Sequence, residues 1–526
     1  MNTFIHLFKR GSRAIATVSA LALVLVLQAC DPNLSPKPGT GNLGSLVPSG
    51  TAINYVALGN SLTAGFQSGA VVASETQYAY PTQLARQLGM SNGDGAGQYQ
   101  YMQFPTDGGI GSRLRITQFN SPTSPVTAAA TLGTPPTNVA LARPFNNLGI
   151  PGALLRDMHP SATDPIYLAR FGPNVAANLF YNPFFGAVIR NSALGRTPVD
   201  QAARLNPNLV TLWIGNNDVL GYASSGGTLG TNFFTQQSNP MAAPAPTEVA
   251  VFTAQFNALL DSCTRKMPNA KFIVGNIPDV TAAPYFTTAG PLVRASVAAT
   301  LNNTALVPAA LAAFIRSTFP AFPNGLLVTS SAAPGGFKQL NDKDLFVLTA
   351  GSDPRLQLYV VQLLTALGAA AQQAQANPAM AQAIIQQTLA RNAIPNGFVL
   401  DEAEQAVTQK AVTDFNTVIS AAVARYSSNN QAILFDANAL VNQIRTQGYP
   451  IQGQITTANG QVVGNVLTFS YISGGFFSLD GIHPSSRGYG AVTNELIKLI
   501  NSRFGADVPY LNLIDIPGLP VGQNTF

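Results

Sequence analysis

A serine hydroxyl is a poor nucleophile near neutral pH and needs an adjacent base, most often histidine. The chain has three histidines, His6, His159 and His483. His483 follows Asp480 by three residues in Ser478-Leu479-Asp480-Gly481-Ile482-His483-Pro484. On a turn leading into a C-terminal helix, that spacing lets the carboxylate fix the tautomer and orientation of the imidazole. His159 lies in Arg156-Asp157-Met158-His159 and reads as a surface-loop histidine. The candidate nucleophile is Ser61, in Gly59-Asn60-Ser61-Leu62 followed by Thr63-Ala64-Gly65. A serine that closes an apolar strand and opens a helix faces a crevice, with free amide N–H groups beside it to meet an oxyanion. Taken alone, the same residues also fit a turn or a helix N-cap.

Such residues need a scaffold. Short apolar runs at 53–58 (INYVAL), 209–214 (LVTLWI), 271–274 (KFIV) and 432–435 (AILF) each lead into Gly or Asp. Before the last of them, Asp401 and Glu404 have capping-box spacing, and Val407, Ala411, Val412, Phe415, Val418, Ile419, Ala422 and Val423 form one apolar helix face. Apolar strands alternating with amphipathic helices predict an α/β fold with a parallel sheet covered on both faces, its ligand beyond the carboxyl ends of the strands. Cys263 falls at helical spacing with Phe252, Phe256, Leu259 and Leu260 and reads as a core thiol. Residues 93–144, rich in Gly, Pro, Thr and Ser, read as extended surface loops. Residues 284–396 carry Ala- and Gln-rich helical patterns at 356–376 and 379–390 and read as a helical insertion between two strands. It is either a cap over the site or peripheral padding. No internal repeat is visible.

Of 526 residues, 46% are hydrophobic and 10% charged, against about a quarter charged in ordinary soluble proteins. That excludes a disordered polyelectrolyte and argues against a nucleic-acid partner, which requires clustered Lys and Arg. Lys9, Arg10 and Arg13 precede an apolar run at 14–27, which has the size of a signal-peptide core and is too short to span a bilayer. The run ends in Leu27-Gln28-Ala29-Cys30, which is similar to a bacterial lipoprotein signal. Residues 1–29 are then a removable leader, Cys30 the acylated first residue and 30–50 a flexible tether. The expected location is the cell envelope, outside the cytoplasm, with the membrane as a partner through Cys30. The alternative is a secretory signal in which Cys30 is incidental. Without the leader the balance is 25 basic to 23 acidic residues, from which no electrostatic partner follows. Two cysteines and three histidines give no zinc pattern.

Four blocks in order resemble those of the SGNH (GDSL) hydrolase family, across nearly the whole chain after the leader. Gly59-Asn60-Ser61-Leu62 is similar to the first, which implies Ser61 as nucleophile. Asn147-Leu148-Gly149-Ile150-Pro151-Gly152 resembles the second, and Gly215-Asn216-Asn217-Asp218 the third. The resemblance implies an oxyanion hole made by the Gly152 N–H, the Asn217 side-chain amide and the Ser61 N–H. Asp480-Gly481-Ile482-His483 resembles the last block, with His483 as base and Asp480 as its orienter. The chain departs from the family at Asn60, where Asp is usual; the charge is lost, but that Asp is not the triad acid. The implied fold is a flavodoxin-like three-layer αβα sandwich with a five-stranded parallel sheet. Its second strand should lie just before Asn147, the hydrolase domain should span 51–505, and 506–526 should be a C-terminal extension. The implied activity is that of an extracytoplasmic serine ester hydrolase of lipase or carboxylesterase type, acting through an acyl-enzyme on an ester substrate, lipid included. It needs no metal or organic cofactor. The rivals are a carbohydrate O-deacetylase of the envelope and a non-catalytic surface lipoprotein.

Overall fold

Five buried strands pair in parallel: β1 (Tyr55–Gly59), β2 (Asn147–Gly149), β3 (Leu209–Trp213), β4 (Lys271–Gly275) and β5 (Ala432–Phe435). Their order across the sheet is β5-β4-β3-β1-β2, so the first strand sits next to an edge and the chain winds outward from it in both directions. The computed structural model describes residues 38–518 except 40, 94–96, 107, 117–125, 160–181, 228–244, 305–308, 319–326, 330–336, 349–353, 452–454, 457–461 and 464–465. The helices that bear on the site are α1 (Ser61–Ala64), α2 (Tyr80–Gln87), α3 (Pro198–Arg204), α4 (Asn217–Ser224), α5 (Val249–Lys266), α6 (Glu402–Ala424), α7 (Ala437–Gln447) and α8 (Ser486–Phe504). Near-continuous apolar strands are what a sheet covered on both faces requires. Here α2 packs on α8 and β1, while α5 packs on α3 and α6, and α6 on β5. Tyr80 lies against Trp213, and Phe415 stacks on Phe252 with ring centroids 3.9 Å apart.

Helix α6 begins as its sequence dictates. The Asp401 side chain accepts the Glu404 N–H at 2.9 Å, and the Glu404 side chain accepts the Asp401 N–H at 2.8 Å. Its buried face runs through Ala411, Val412, Phe415, Ile419, Ala422 and Val423, with Thr408 where Val407 was expected; Val407 is exposed. Cys263 is buried on α5, and burial pushes its thiol up to about 12, consistent with packing and not with nucleophilic chemistry.

Several boundaries differ from the sequence reading. The second strand is Asn147–Gly149 itself and not the residues before it; its ladder with β1 starts at the Asn146 carbonyl, which accepts the Ala57 N–H at 2.8 Å. Residues 93–144 are not simply loops. Gly109–Ile116 and Val126–Gly133 pair antiparallel, and the first of them also pairs with Ala70–Val72. Of the expected tether, residues 41–50 are docked: Leu46 and Val47 are buried, and the Ser45 N–H donates to the Phe504 carbonyl at 2.8 Å. The expected extension is docked as well, with Val508, Leu513 and Ile516 buried and the Arg487 guanidinium donating to the Leu513 and Ile516 carbonyls. The Asp507 N–H donates to the Asn42 carbonyl at 2.7 Å, so both ends of the described chain belong to one packed body. The leader and Cys30 lie outside the described residues.

Residues 284–396 leave between β4 and α6 and include the helices Ala289–Asn302, Ala309–Thr318, Pro354–Ala376 and Ala381–Arg391. Two of the contacts that fasten them to the body bear on the start of α6 and on the site. Buried Asp344 pairs with Lys338 at 2.9 Å and accepts the Glu402 N–H at the start of α6. The Tyr285 N–H donates to the Gly481 carbonyl at 3.0 Å, on the loop between Asp480 and His483. The insertion therefore buttresses the loop that carries the histidine.

Candidate active site

Ser61 is the first residue of α1, directly past the carboxyl end of β1. Asn60 caps that helix, its Oδ1 accepting the Leu62 N–H at 3.1 Å. The Asn60 amide donates to Asn216 Oδ1 at 3.1 Å, so the residue that departs from the family pattern is buried with its donor satisfied. An aspartate here could cap Leu62 equally well but could not donate to that oxygen.

His483 comes from the loop before α8, 422 positions along the chain, and its Nε2 lies 2.8 Å from Ser61 Oγ. Its Nδ1 lies 3.0 Å from Asp480 Oδ2. With Nδ1–H donating to the carboxylate, Nε2 carries the lone pair that accepts the serine proton. All three residues are buried. The Asp480 carboxylate has donors on both oxygens. Oδ1 accepts the N–H groups of Ile482 at 2.9 Å and His483 at 2.8 Å, and Oδ2 also accepts the Gly69 N–H at 3.2 Å. Burial alone would raise its pKa; the facing His483 and these hydrogen bonds outweigh burial and hold the carboxyl below its ordinary range. The histidine ring is set at a tilt against Phe66, centroids 4.8 Å apart.

The expected oxyanion donors Gly152 and Asn217 follow the two strands that neighbour β1. After β2, Ile150-Pro151-Gly152-Ala153 forms a tight turn closed by the Ala153 N–H to the Ile150 carbonyl at 3.0 Å. Pro precedes a Gly at φ +78°, the backbone that a type II turn demands at that position. Among the described residues no acceptor engages the Gly152 or Ser61 N–H. After β3, Asn217 opens α4, and its amide donates to the Ala153 carbonyl at 2.7 Å. One of its two N–H bonds thus fixes the side chain against the Gly152 turn, and the other remains for a ligand.

Asp218 was not singled out by sequence, although it is the last residue of the third block. It is buried; Oδ2 accepts the Leu155 N–H at 2.9 Å and Oδ1 the Thr247 hydroxyl at 2.8 Å. Burial pushes it up to about 6 while those two donors pull the other way. Asn217 and Asp218 together clamp the third block onto the second, which holds the Gly152 turn in place. His159 lies elsewhere, at the end of the short helix Leu155–Met158, with Lys266 and Asp200 as its charged neighbours.

From Ser61 an apolar groove runs over the carboxyl ends of β3, β4 and β5. Its walls include Trp213, Val280, Leu440, Val441, Phe469 and Phe477, and its polar lining gathers at Asn60, Ser61, Asn216, Asn217 and His483. The sequence could not reveal it, since its apolar walls come from segments far apart in the chain that look like ordinary core.

A serine hydrogen-bonded to an imidazole that is held by a buried carboxylate, at the carboxyl edge of a parallel sheet, is the arrangement of a serine hydrolase. Residues 55–313 match the family model described as GDSL-like lipase/acylhydrolase. Residues 55–313 are thus a GDSL-like lipase/acylhydrolase domain, and the protein is a serine ester hydrolase. The match takes in the first three blocks; Asp480 and His483 lie beyond it. No curated protein and no solved structure matches the chain significantly.

The Asn217 geometry sets an expectation for kinetics. Removing one oxyanion donor costs on the order of 10²–10³ in kcat, so Asn217→Ala should lower kcat by that much with KM little changed, measured on a short aryl ester. A change confined to KM would make Asn217 a residue that places the substrate instead.

Proposed function

We propose that the protein is an extracytoplasmic lipase or carboxylesterase that cleaves esters of apolar acyl chains through an acyl-enzyme on Ser61. His483 Nε2 takes the proton as Ser61 Oγ attacks the ester carbonyl carbon. The oxyanion accepts from the Gly152 N–H, the Ser61 N–H and the free N–H of Asn217. The intermediate collapses, the C–O bond to the alcohol breaks, and protonated His483 gives its proton to the leaving oxygen. Water, deprotonated by His483, then attacks the acyl carbonyl and returns Ser61 to its resting state. Asp480 orients the imidazole and stabilises its charged form throughout.

The observation that carries the substrate reading is the groove. An O-acetylated sugar needs polar partners for its hydroxyls, because burying them unpaired is costly. Beyond the reacting end the groove offers aliphatic and aromatic walls, with one carboxylate, Asp279, whose Oδ1 accepts the N–H and hydroxyl of Thr281. Burial of a CH₂ group is worth about 0.8 kcal/mol, roughly fourfold in kcat/KM per methylene while the groove has room. In a series of p-nitrophenyl esters from acetate to decanoate, kcat/KM should therefore climb with acyl length, and Leu440→Trp should cut the longest chains first. Highest activity on acetate, falling with each added carbon, would favour the carbohydrate O-deacetylase reading.

Membrane anchoring through an acylated Cys30 is proposed from the leader pattern. Gly39 is already docked, its N–H donating to the Gln87 carbonyl at 3.1 Å, so the eight residues between Cys30 and Gly39 would hold the body at most roughly 30 Å from the lipid. Cys30→Ala should abolish labelling by radioactive fatty acid and leave ester hydrolysis by the body intact. Labelling that persists would contradict the lipoprotein reading.

A further inference from the structure

Six residues beyond the nucleophile, Gln67 and Ala70 exchange both backbone hydrogen bonds at 3.0 Å, enclosing a two-residue turn of Ser68 and Gly69. Both central residues have positive φ, +48° and +82°, as a type I′ turn requires. Gly69 admits no substitute, since a Cβ there would lie 2.2 Å from the Ser112 carbonyl oxygen. Ser68 is different: Gly or Asn would accept its left-handed backbone more readily than Ser does.

The contacts of Ser68 explain its presence. Its N–H donates to Ser478 Oγ at 2.9 Å, and its hydroxyl accepts the Leu479 N–H at 3.3 Å. The Gly69 N–H donates to Asp480 Oδ2. The turn thus touches three consecutive residues of the loop that carries the acid. Of the donors to the Asp480 carboxylate, Gly69 belongs to the nucleophile's own segment, while Ile482 and His483 belong to the acid's own loop. The turn is braced from behind by the strand Gly109–Ile116, where the Ser112 N–H donates to the Gly69 carbonyl at 2.9 Å and the Leu114 N–H to the Ser68 carbonyl at 2.7 Å.

We propose that the Ser68–Gly69 turn is a positioning element of this active site: it keeps Asp480, and through it His483, in register with Ser61. This rests on the reading of Ser61, His483 and Asp480 as one catalytic unit. The titratable and charged groups around Asp480 are His483, Glu75 with its partner Arg113, and the phenols Tyr471 and Tyr489. Burial pushes Glu75 up to about 7 against the pull of Arg113, so its ionisation has to be followed separately from that of His483.

The test is Ser68→Gly, which suits the backbone and removes only the hydroxyl, together with Ser478→Ala, which removes the opposing acceptor. If the turn positions Asp480, each variant loses about 10- to 100-fold in kcat with KM within about twofold. The acid limb of kcat/KM against pH then moves to lower pH, because a less well-held carboxylate stabilises protonated His483 less. Carrying Glu75→Gln in both backgrounds separates the Glu75 titration from that shift. Ser68→Asn, which tolerates the backbone and keeps an acceptor, restores most of the activity, and the double variant is little worse than the poorer single. Wild-type kcat and an unmoved acid limb in folded Ser68→Gly would overturn the proposal. So would a loss of melting temperature with no movement of that limb. Full activity in Ser61→Ala would instead overturn the catalytic unit on which it rests.

Discussion

The hydrogen bond between Ser61 and His483 joins the end of the first sheet strand to the start of the last helix, 422 residues later. A 2.8 Å contact across that separation requires the elements that carry the two residues to be held in register, and much of the architecture serves that end. The sheet fixes Ser61. Helix α8 fixes the histidine loop, with the Tyr489 hydroxyl donating to the Phe66 carbonyl at 2.9 Å and the Ser486 hydroxyl to Gln67 Oε1 at 3.1 Å. The insertion supports the same loop from outside through Tyr285. The buried Asp480–His483 pair also ties the site to stability. The carboxyl is held below its ordinary pKa in the fold, so its ionised form stabilises the protein above the unfolded value, and that contribution is lost as pH falls through the folded one.

Electrostatic preorganisation is built into the backbone as much as into side chains. The Pro151-Gly152 turn carries the backbone N–H proposed to meet the oxyanion, and the Asn217 and Asp218 bonds to Ala153 and Leu155 tie that turn down. Donors fixed before the substrate arrives cost no reorganisation when charge develops. The Asn60–Asn216 pair does comparable work beneath Ser61 without placing a charge there, which explains how the chain departs from its family's first block without leaving a buried group unpaired.

Residue types that carry chemistry were legible from sequence. Ser61, His483 and Asp480, which the structure brings together, could be named from the need of a serine for a base and of that base for an orienting acid, whereas Gly152 and Asn217 were named only through the resemblance to the family's second and third blocks. Four of the five strands could be read as well, because a strand buried on both faces is a short apolar run with turn residues behind it. What stayed hidden depends on contacts between distant segments. Ser68-Gly69 looks like any surface turn until the acid loop is laid against it. Residues 41–50 have the Gly, Pro and Ser of a linker, and only Leu46 and Val47 hint that they dock. The antiparallel pair Gly109–Ile116 and Val126–Gly133 was missed because its many small residues carry little apolar alternation.

The central claim is that Ser61 carries the acyl group while His483 serves it as base. The most direct measurement is mass mapping of peptides from protein quenched during turnover of a p-nitrophenyl ester. The account predicts the acyl mass on the peptide containing Ser61, absent from Ser61→Ala and strongly reduced in His483→Ala. An acyl group on another residue, or continued turnover by folded Ser61→Ala, would contradict it.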